Sequence, residues 1–341
     1  MRRSRCLPWI VAVFLVSAAI AFVPRPAHGA LIKPSYAAGD RWVYDLDGSL
    51  ATFPGLNASQ FGPFSFGMVG RVEVAVVGPA SATIGNTSIP SVQVATSASG
   101  FLNGTFTIPG GPSAAIHGSF TTSSTEFWED GAYLPVRSTG SSSYAADVTY
   151  VVTLHLDVQV KVNATTTLGS VPPFGLDVGE NASAPLTTDV RVNSTFTFAG
   201  QTSQMDNETT INTTWHREVL SQQNITVGAG TFLTYKMNQT LGSFPGIPGA
   251  LEGNETAYFS NDAGYYAKRE AYANGTRAAE LSLKSYSYGA HATGLSVYDI
   301  ALFVVLPIVL AAVVVFLIWR RRKGRKPEPP SPATGEGPPA R

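Results

Sequence analysis

Cysteine is almost absent from this chain. Its 341 residues include one, Cys6, inside a leader expected to be removed. Disulfides and thiolate metal sites are thereby excluded from the mature protein, whose stability must come from a packed core of about 260 residues. Charge is sparse too, at 13% of residues, and the formal balance of zero conceals an asymmetry. Between residues 30 and 296 stand twenty acidic and twelve basic residues. An acidic body of that kind argues against nucleic acid or anionic lipid as a partner. Helical periodicity is missing as well: no long stretch repeats every 3.6 residues.

Motifs for chemistry are equally scarce. Beyond the leader the histidines are His117, His155, His216 and His291, with no HExxH and no close pair among them. No glycine-rich phosphate loop occurs. "FSFG" around Ser65 has Pro63 where a nucleophile elbow needs its first glycine. "DLDGS" from Asp45 opens like a calcium loop, but Leu56 stands at the closing glutamate position, so an Asp-Gly turn is expected. "EFWED" groups Glu126, Glu129 and Asp130, which could form an acid/base pair. A parallel stretch carries Ala257, Ser260 and Asn261 instead, which favours a solvated hairpin end. No catalytic residue, cofactor or metal ligand is assigned, and an enzyme is not expected.

The two ends are informative. Residues 1–29 read as a secretory signal: three early arginines, an apolar run over 7–23, then Ala27-His28-Gly29. Cleavage after Gly29 is expected, and a retained anchor is the alternative. Residues 300–319 form a twenty-residue uncharged run, enough to cross about 30 Å of hydrocarbon as a helix. Tyr298 and Trp319 flank it at interface depth, and "RRRKGRK" follows, which sets the C-terminus in the cytoplasm. The expectation is a single-pass membrane protein with its bulk outside. Residues 291–299 make a stalk, and the basic, Pro-rich tail 320–341 cannot bury a core.

What the chain has in abundance is one triplet. Of thirteen asparagines, twelve are followed two residues later by Ser or Thr with no intervening Pro. They are Asn57, Asn86, Asn103, Asn163, Asn181, Asn193, Asn207, Asn212, Asn224, Asn238, Asn254 and Asn274. Chance would supply about three, so these are read as N-glycosylation acceptors. Dense acceptors, no disulfides and a short basic tail together look like surface glycoproteins of archaea.

Period-two alternation places several acceptors. Leu154, Leu156, Val158, Val160 and Val162 share a face, and Asn163 continues the opposite one. Val190, Val192, Phe196 and Phe198 oppose Asn193. Ile211, Trp215 and Val219 alternate against Asn212, and Leu233, Tyr235 and Met237 against Asn238. A glycan must project into water, so these strands are expected to form sheets with one wet face.

The body also repeats itself. "TEFWEDGAYLPVR" (125–137) parallels "TAYFSNDAGYYAKRE" (256–270), and "IGNTSIPSVQV" (84–94) parallels "VGAGTFLTYKM" (227–237). We read an all-β ectodomain of two antiparallel, curved-sheet lobes, 30–170 and 174–290, divided near "SVPPFG" (170–175), plus one C-terminal transmembrane helix. Hairpin turns at Asp130-Gly131 and Asp262-Ala263-Gly264 carry residues that tolerate φ > 0.

The order "ITVGAGTFLTYKM", "TAYFSNDAGYYAKRE", "ELSLKSYSY", with "AAGDRWVYDL" near the start, resembles prokaryotic envelope proteins similar to the LolA-like lipoprotein-carrier fold. That resemblance covers about 60 residues and implies strongly curved sheets around an apolar concavity. The chain departs from the family in its membrane anchor, its acceptor load and the lack of a covering helix. Trp42, Phe127, Trp128, Tyr258, Phe259, Tyr265 and Tyr266 are the candidates to line such a concavity. The functional expectation is a non-enzymatic, glycosylated surface protein giving envelope cover or extracellular binding. The alternative is a carrier of lipid or another apolar ligand. Expected partners are the bilayer, N-linked glycans, and an apolar ligand or other surface proteins.

Overall fold

The computed structural model describes residues 30–50, 64–107, 113–149, 152–240, 254–273 and 275–289. The expected leader, stalk, membrane span and tail lie outside them, as do Asn57, Asn274 and His291.

Twelve strands follow in chain order: β1 (Arg41–Leu50), β2 (Phe64–Ile84), β3 (Thr87–Thr107), β4 (Ser113–Glu129), β5 (Pro135–Thr149) and β6 (Thr153–Leu168), then β7 (Asn181–Phe198), β8 (Gln201–Val227), β9 (Gly230–Thr240), β10 (Asn254–Ser260), β11 (Tyr265–Ala273) and β12 (Thr276–Ser287). Each pairs antiparallel with the next, and β12 returns to β1, so the sheet closes into a barrel. No helix occurs among the described residues. The all-β class is as expected. The two separate lobes are not: their strands are β1–β6 and β7–β12, side by side in one continuous sheet. Across the expected division, β6 and β7 pair from Leu156↔Phe198 to Leu168↔Leu186. Joining the sheet at β6–β7 and at β12–β1 leaves fewer orphan backbone groups than two open sheets would.

The paired hairpins of the expected repeat do occupy matching places. The β2–β3 and β8–β9 turns sit six strands apart, as do the β4–β5 and β10–β11 turns.

Residue partners trace the barrel's stagger. From Ser203 the ladder runs through Phe196, Val158, Tyr144, Phe120, Gly100 and Gly70 to Leu46. It continues through Leu281, Arg269, Ala257 and Met237, and re-enters β8 at Val219 rather than Ser203. An offset of about sixteen residues over twelve strands corresponds to a tilt of about 40°. Glycine is required on this path. A Cβ on Gly100 would lie 2.2 Å from the Val69 carbonyl and 2.7 Å from the Phe120 ring, so the ring fills the barrel where two strands lack side chains.

Alternation builds the core. Leu156, Val158 and Val160 are buried, as are Trp215, Val219, Tyr235 and Met237, in the registers the sequence implies. One register differs. Leu233 is 36% exposed, and Phe232 packs inward against Tyr286 (centroids 5.6 Å). Thr234 is buried, its hydroxyl donating to the Gln223 carbonyl at 2.9 Å. β8 is bulged between Val219 and Ser221, next to this stretch of β9.

One end of the barrel is closed by chain rather than by strands. Residues 170–176 are no linker: Phe174 and Leu176 are buried there. Leu31 N–H donates to the Leu176 carbonyl at 3.1 Å, and Tyr235 Oη to the Ala30 carbonyl at 2.8 Å. Tyr133 Oη donates to the Pro34 carbonyl at 2.8 Å, and Tyr36 Oη to that of Gly264 at 3.0 Å. The β4–β5 turn takes its left-handed residue at Tyr133 (φ 57°) rather than at Gly131, while Gly264 does so in the β10–β11 turn (φ 64°). Glu129 makes the first choice feasible, because its carboxylate accepts from the N–H groups of Gly131 and Ala132.

Candidate functional site

Two sets of residues are candidates: the acceptor asparagines, and the inward aromatic and charged groups. Strand alternation separates most of them, since successive side chains face opposite ways; Asn207 shares the inward register of β8 at a position where it is nevertheless exposed.

Of the ten acceptors among the described residues, Asn86, Asn103, Asn163, Asn181, Asn207, Asn212, Asn224, Asn238 and Asn254 are exposed, and Asn193 is half-buried. Several are oriented through Oδ1, which N-glycosylation leaves unchanged. Asn212 accepts there from the Thr187 hydroxyl (2.8 Å) and Asn238 from that of Thr256 (3.2 Å). Asn103 Oδ1 lies 2.9 Å from His117 Nδ1. Asn193, oriented to satisfy both groups, donates its amide to the Asp206 carboxylate at 2.9 Å. Asn163 borders a shallow outer groove of about 550 Å³ across β2–β6, lined by Glu73, Ser97, Ser123, Thr125 and Ser141.

The seven expected lining aromatics divide. Trp42, Trp128, Phe259, Tyr265 and Tyr266 converge at the closed end. Trp128 stacks on Tyr265 (5.6 Å, 14°), Trp42 lies 5.0 Å from the same ring, and Phe259 meets Tyr266 edge-on at 5.5 Å. They fill one another's space, as interiors at crystalline density do. Trp42 Nε1 donates to the Ala263 carbonyl at 2.7 Å, and Tyr44 Oη to that of Tyr266 at 2.7 Å. Phe127 and Tyr258 are half-buried in the opposite register, away from this cluster.

Sequence reasoning missed a charged network beside them. Arg269 Nε and Nη2 reach Glu255 Oε2 at 2.9 and 2.8 Å. Gln239 donates to Glu255 Oε1, and Arg217 Nε donates to Gln239 Oε1 at 3.0 Å. Arg217 stacks over Trp215 (4.9 Å) and Phe174 (5.3 Å), while its Nη1 is buried without a hydrogen-bond partner. Burial pulls the Arg269 guanidinium down, but the Glu255 carboxylate outweighs it and the net shift is upward. Burial likewise holds the phenols of Tyr36, Tyr44 and Tyr265 well above their ordinary value. A signal for the network existed: Glu255-Ala257-Phe259 and Ala267-Arg269-Ala271 place both charges in the inward register.

The acidic trio is dispersed. Glu126 faces inward and accepts from Trp128 Nε1 at 2.7 Å, Glu129 caps the β4–β5 turn, and Asp130 lies outside, 3.6 Å from Lys33. Three carboxylates in three environments do not form one acid/base pair. The described histidines, His117, His155 and His216, sit on strand surfaces. His155 bridges Asp147 (2.9 Å) and Asp157 (3.3 Å), and the Asp147 hydrogen bond, then the Asp157 charge, raise its pKa above 6.5. His216 lies 2.9 Å from Ser183 Oγ.

Compared with known proteins, the chain matches no protein-family model, no curated protein and no solved structure. The functional reading therefore rests on the residues themselves.

Proposed function

We propose that this is a single-pass cell-surface glycoprotein that presents a sugar-coated β-barrel outside the membrane, as envelope cover or for extracellular binding, with no chemistry of its own. The observation that carries the reading is the exposure of the acceptor asparagines. Nine of the ten described are exposed, on both strands and turns, where a bulky polar glycan can reach water. The span at 300–319 and the cations after it anchor the chain with the barrel outside. Glycopeptide mapping of protein from its native membrane tests this, with Asn163, Asn193, Asn212 and Asn238 expected to be occupied. Protease on intact cells is expected to remove the barrel and leave an anchored stub. Bare acceptors together with a protected barrel would sink the reading.

One observation favours a carrier as the second reading. Away from the closed end, the inward face of β7 is incompletely covered: Leu186, Val192, Phe196 and Phe198 are only half-buried. An acyl chain laid there would gain about 0.8 kcal/mol per CH₂. Native mass spectrometry decides it: a displaceable lipid mass supports carriage, and a mass of chain and glycans alone excludes it.

A further inference from the structure

The two halves of β8 have different neighbours. Residues 201–218 pair with β7, and residues 217–227 pair with β9. The barrel's stagger is the reason, since the ladder that leaves β8 at Ser203 returns to it at Val219. Over 201–214, therefore, the side of β8 away from β7 has no strand beside it among the described residues.

Which groups face that side follows from the turn. Ala199 and Gly200 (φ 49° and 79°) form a two-residue turn, so Phe198 and Gln201 are a hydrogen-bonded pair and odd-numbered β8 residues bond to β7. Even-numbered residues direct N–H and C=O the other way. Thr240 demonstrates this: its hydroxyl accepts from His216 N–H (3.1 Å) and donates to the Thr214 carbonyl (3.4 Å). Thr202, Gln204, Asp206, Glu208, Thr210 and Asn212 thus present their main-chain groups to the open side. Side chains are exposed on both faces throughout 201–210 and 212–214. An exposed edge of this length is a template for another strand.

Two acceptors lie within this stretch, one on each face. Asn212 points outward, and Asn207, paired with the half-buried Val192, belongs to the inward register. We propose that the open edge of β8 is a strand-addition surface for the same edge of a second copy, and that glycans on Asn207 and Asn212 keep it unpaired. The proposal rests on the glycoprotein reading. Apart from Met205, the side chains exposed on the two faces are polar and form no pocket for a foreign side chain, so recognition is by main chain, and an identical edge matches in length. An antiparallel two-fold pairing centred on Thr210 sets Asp206 opposite Thr214 and Glu208 opposite Asn212, so no like charges meet. In that register Asn207 faces Thr213 of the second copy. Sugars at 207 and 212 would occupy the space over both faces where the incoming strand must lie.

The test uses the full chain from its native membrane in detergent, with oligomeric mass and glycopeptide maps taken on the same samples. Wild type is expected to be monomeric with both sites occupied. Asn207→Gln/Asn212→Gln is expected to shift to twice the chain mass, with the amides of Asp206, Glu208, Thr210 and Asn212 newly protected from exchange. Thr209→Ala/Thr214→Ala removes the same glycans while keeping both asparagines, and should do likewise. Asn86→Gln/Asn103→Gln, losing two glycans elsewhere, should stay monomeric. Adding Glu208→Pro to the first pair removes one outward N–H without touching the β7 ladder, and should restore the monomer. Monomeric glycan-free variants, or a dimer that survives the proline, overturn the pairing while leaving the glycoprotein reading intact. Wild type bare at both sites and dimeric through this edge overturns the glycan guard, and bare yet monomeric overturns the whole proposal.

Discussion

Glu255 and Arg269 lie with 1% and 7% of their side chains exposed, inside a barrel whose interior is mostly apolar. Removing two charges from water costs several kcal/mol per ion, and only good geometry offsets it. Here Glu255 satisfies one oxygen with Arg269 and the other with Gln239, which in turn holds Arg217. The network is therefore expected to be sensitive to the loss of one member and tolerant to the loss of both. Glu255→Ala should cost about 3–5 kcal/mol in denaturant unfolding, because Arg269 is left charged and buried. Glu255→Leu/Arg269→Leu should recover most of that loss. A double variant as unstable as the single would mean that the pair adds net stability beyond its desolvation cost.

At the scale of elements, the closed end decides how the barrel responds to base. Residues 30–36, the turns at 130–134 and 261–264, and the connection at 170–176 meet there through tyrosine hydroxyls and ring contacts. Burial raises the phenols of Tyr36, Tyr44 and Tyr265 in the folded state, while an unfolded chain releases those protons near pH 10, by about its ordinary value. The protonated form thus belongs to the folded state. Its stabilisation is fully present below pH 10 and is lost as pH rises through the folded values. A base titration is expected to show these tyrosinates appearing together with loss of the β-sheet circular dichroism signal. Their ionisation in an intact barrel would contradict the packing described.

The described residues form one closed sheet, and that predicts one transition for the barrel. Trp42 and Trp128 belong to the half built by β1–β6, and Trp215 to the half built by β7–β12. Two independent lobes would unfold at separate denaturant concentrations. A single sheet joined at β6–β7 and at β12–β1 should lose tryptophan fluorescence and circular dichroism together. Separated transitions in tryptophan variants reporting each half would restore the two-lobe description. The matching hairpins six strands apart suit a duplicated six-stranded half that closes on its copy.

Local pattern determined much of this protein. Alternation in 154–162 and 190–198 set which residues face inward, and it set Asn163, Asn212 and Asn238 outward, because a strand's side chains obey a period of two wherever the strand ends up. The acceptor triplets, and the expected leader and span, are likewise written in local sequence. Tertiary structure decided what depends on partners distant in the chain. Closure of β12 on β1 brings Leu281 to Leu46, and no local pattern encodes that pairing. Burial of Glu255 and Arg269 was half-legible: their register was readable, but the partners that make burial affordable come from β8, β9 and β11. The exposure of β8 over 201–214 was not legible at all. A strand looks the same in sequence whether one edge is paired or two, and only the stagger of the whole barrel leaves this edge without a strand beside it among the described residues.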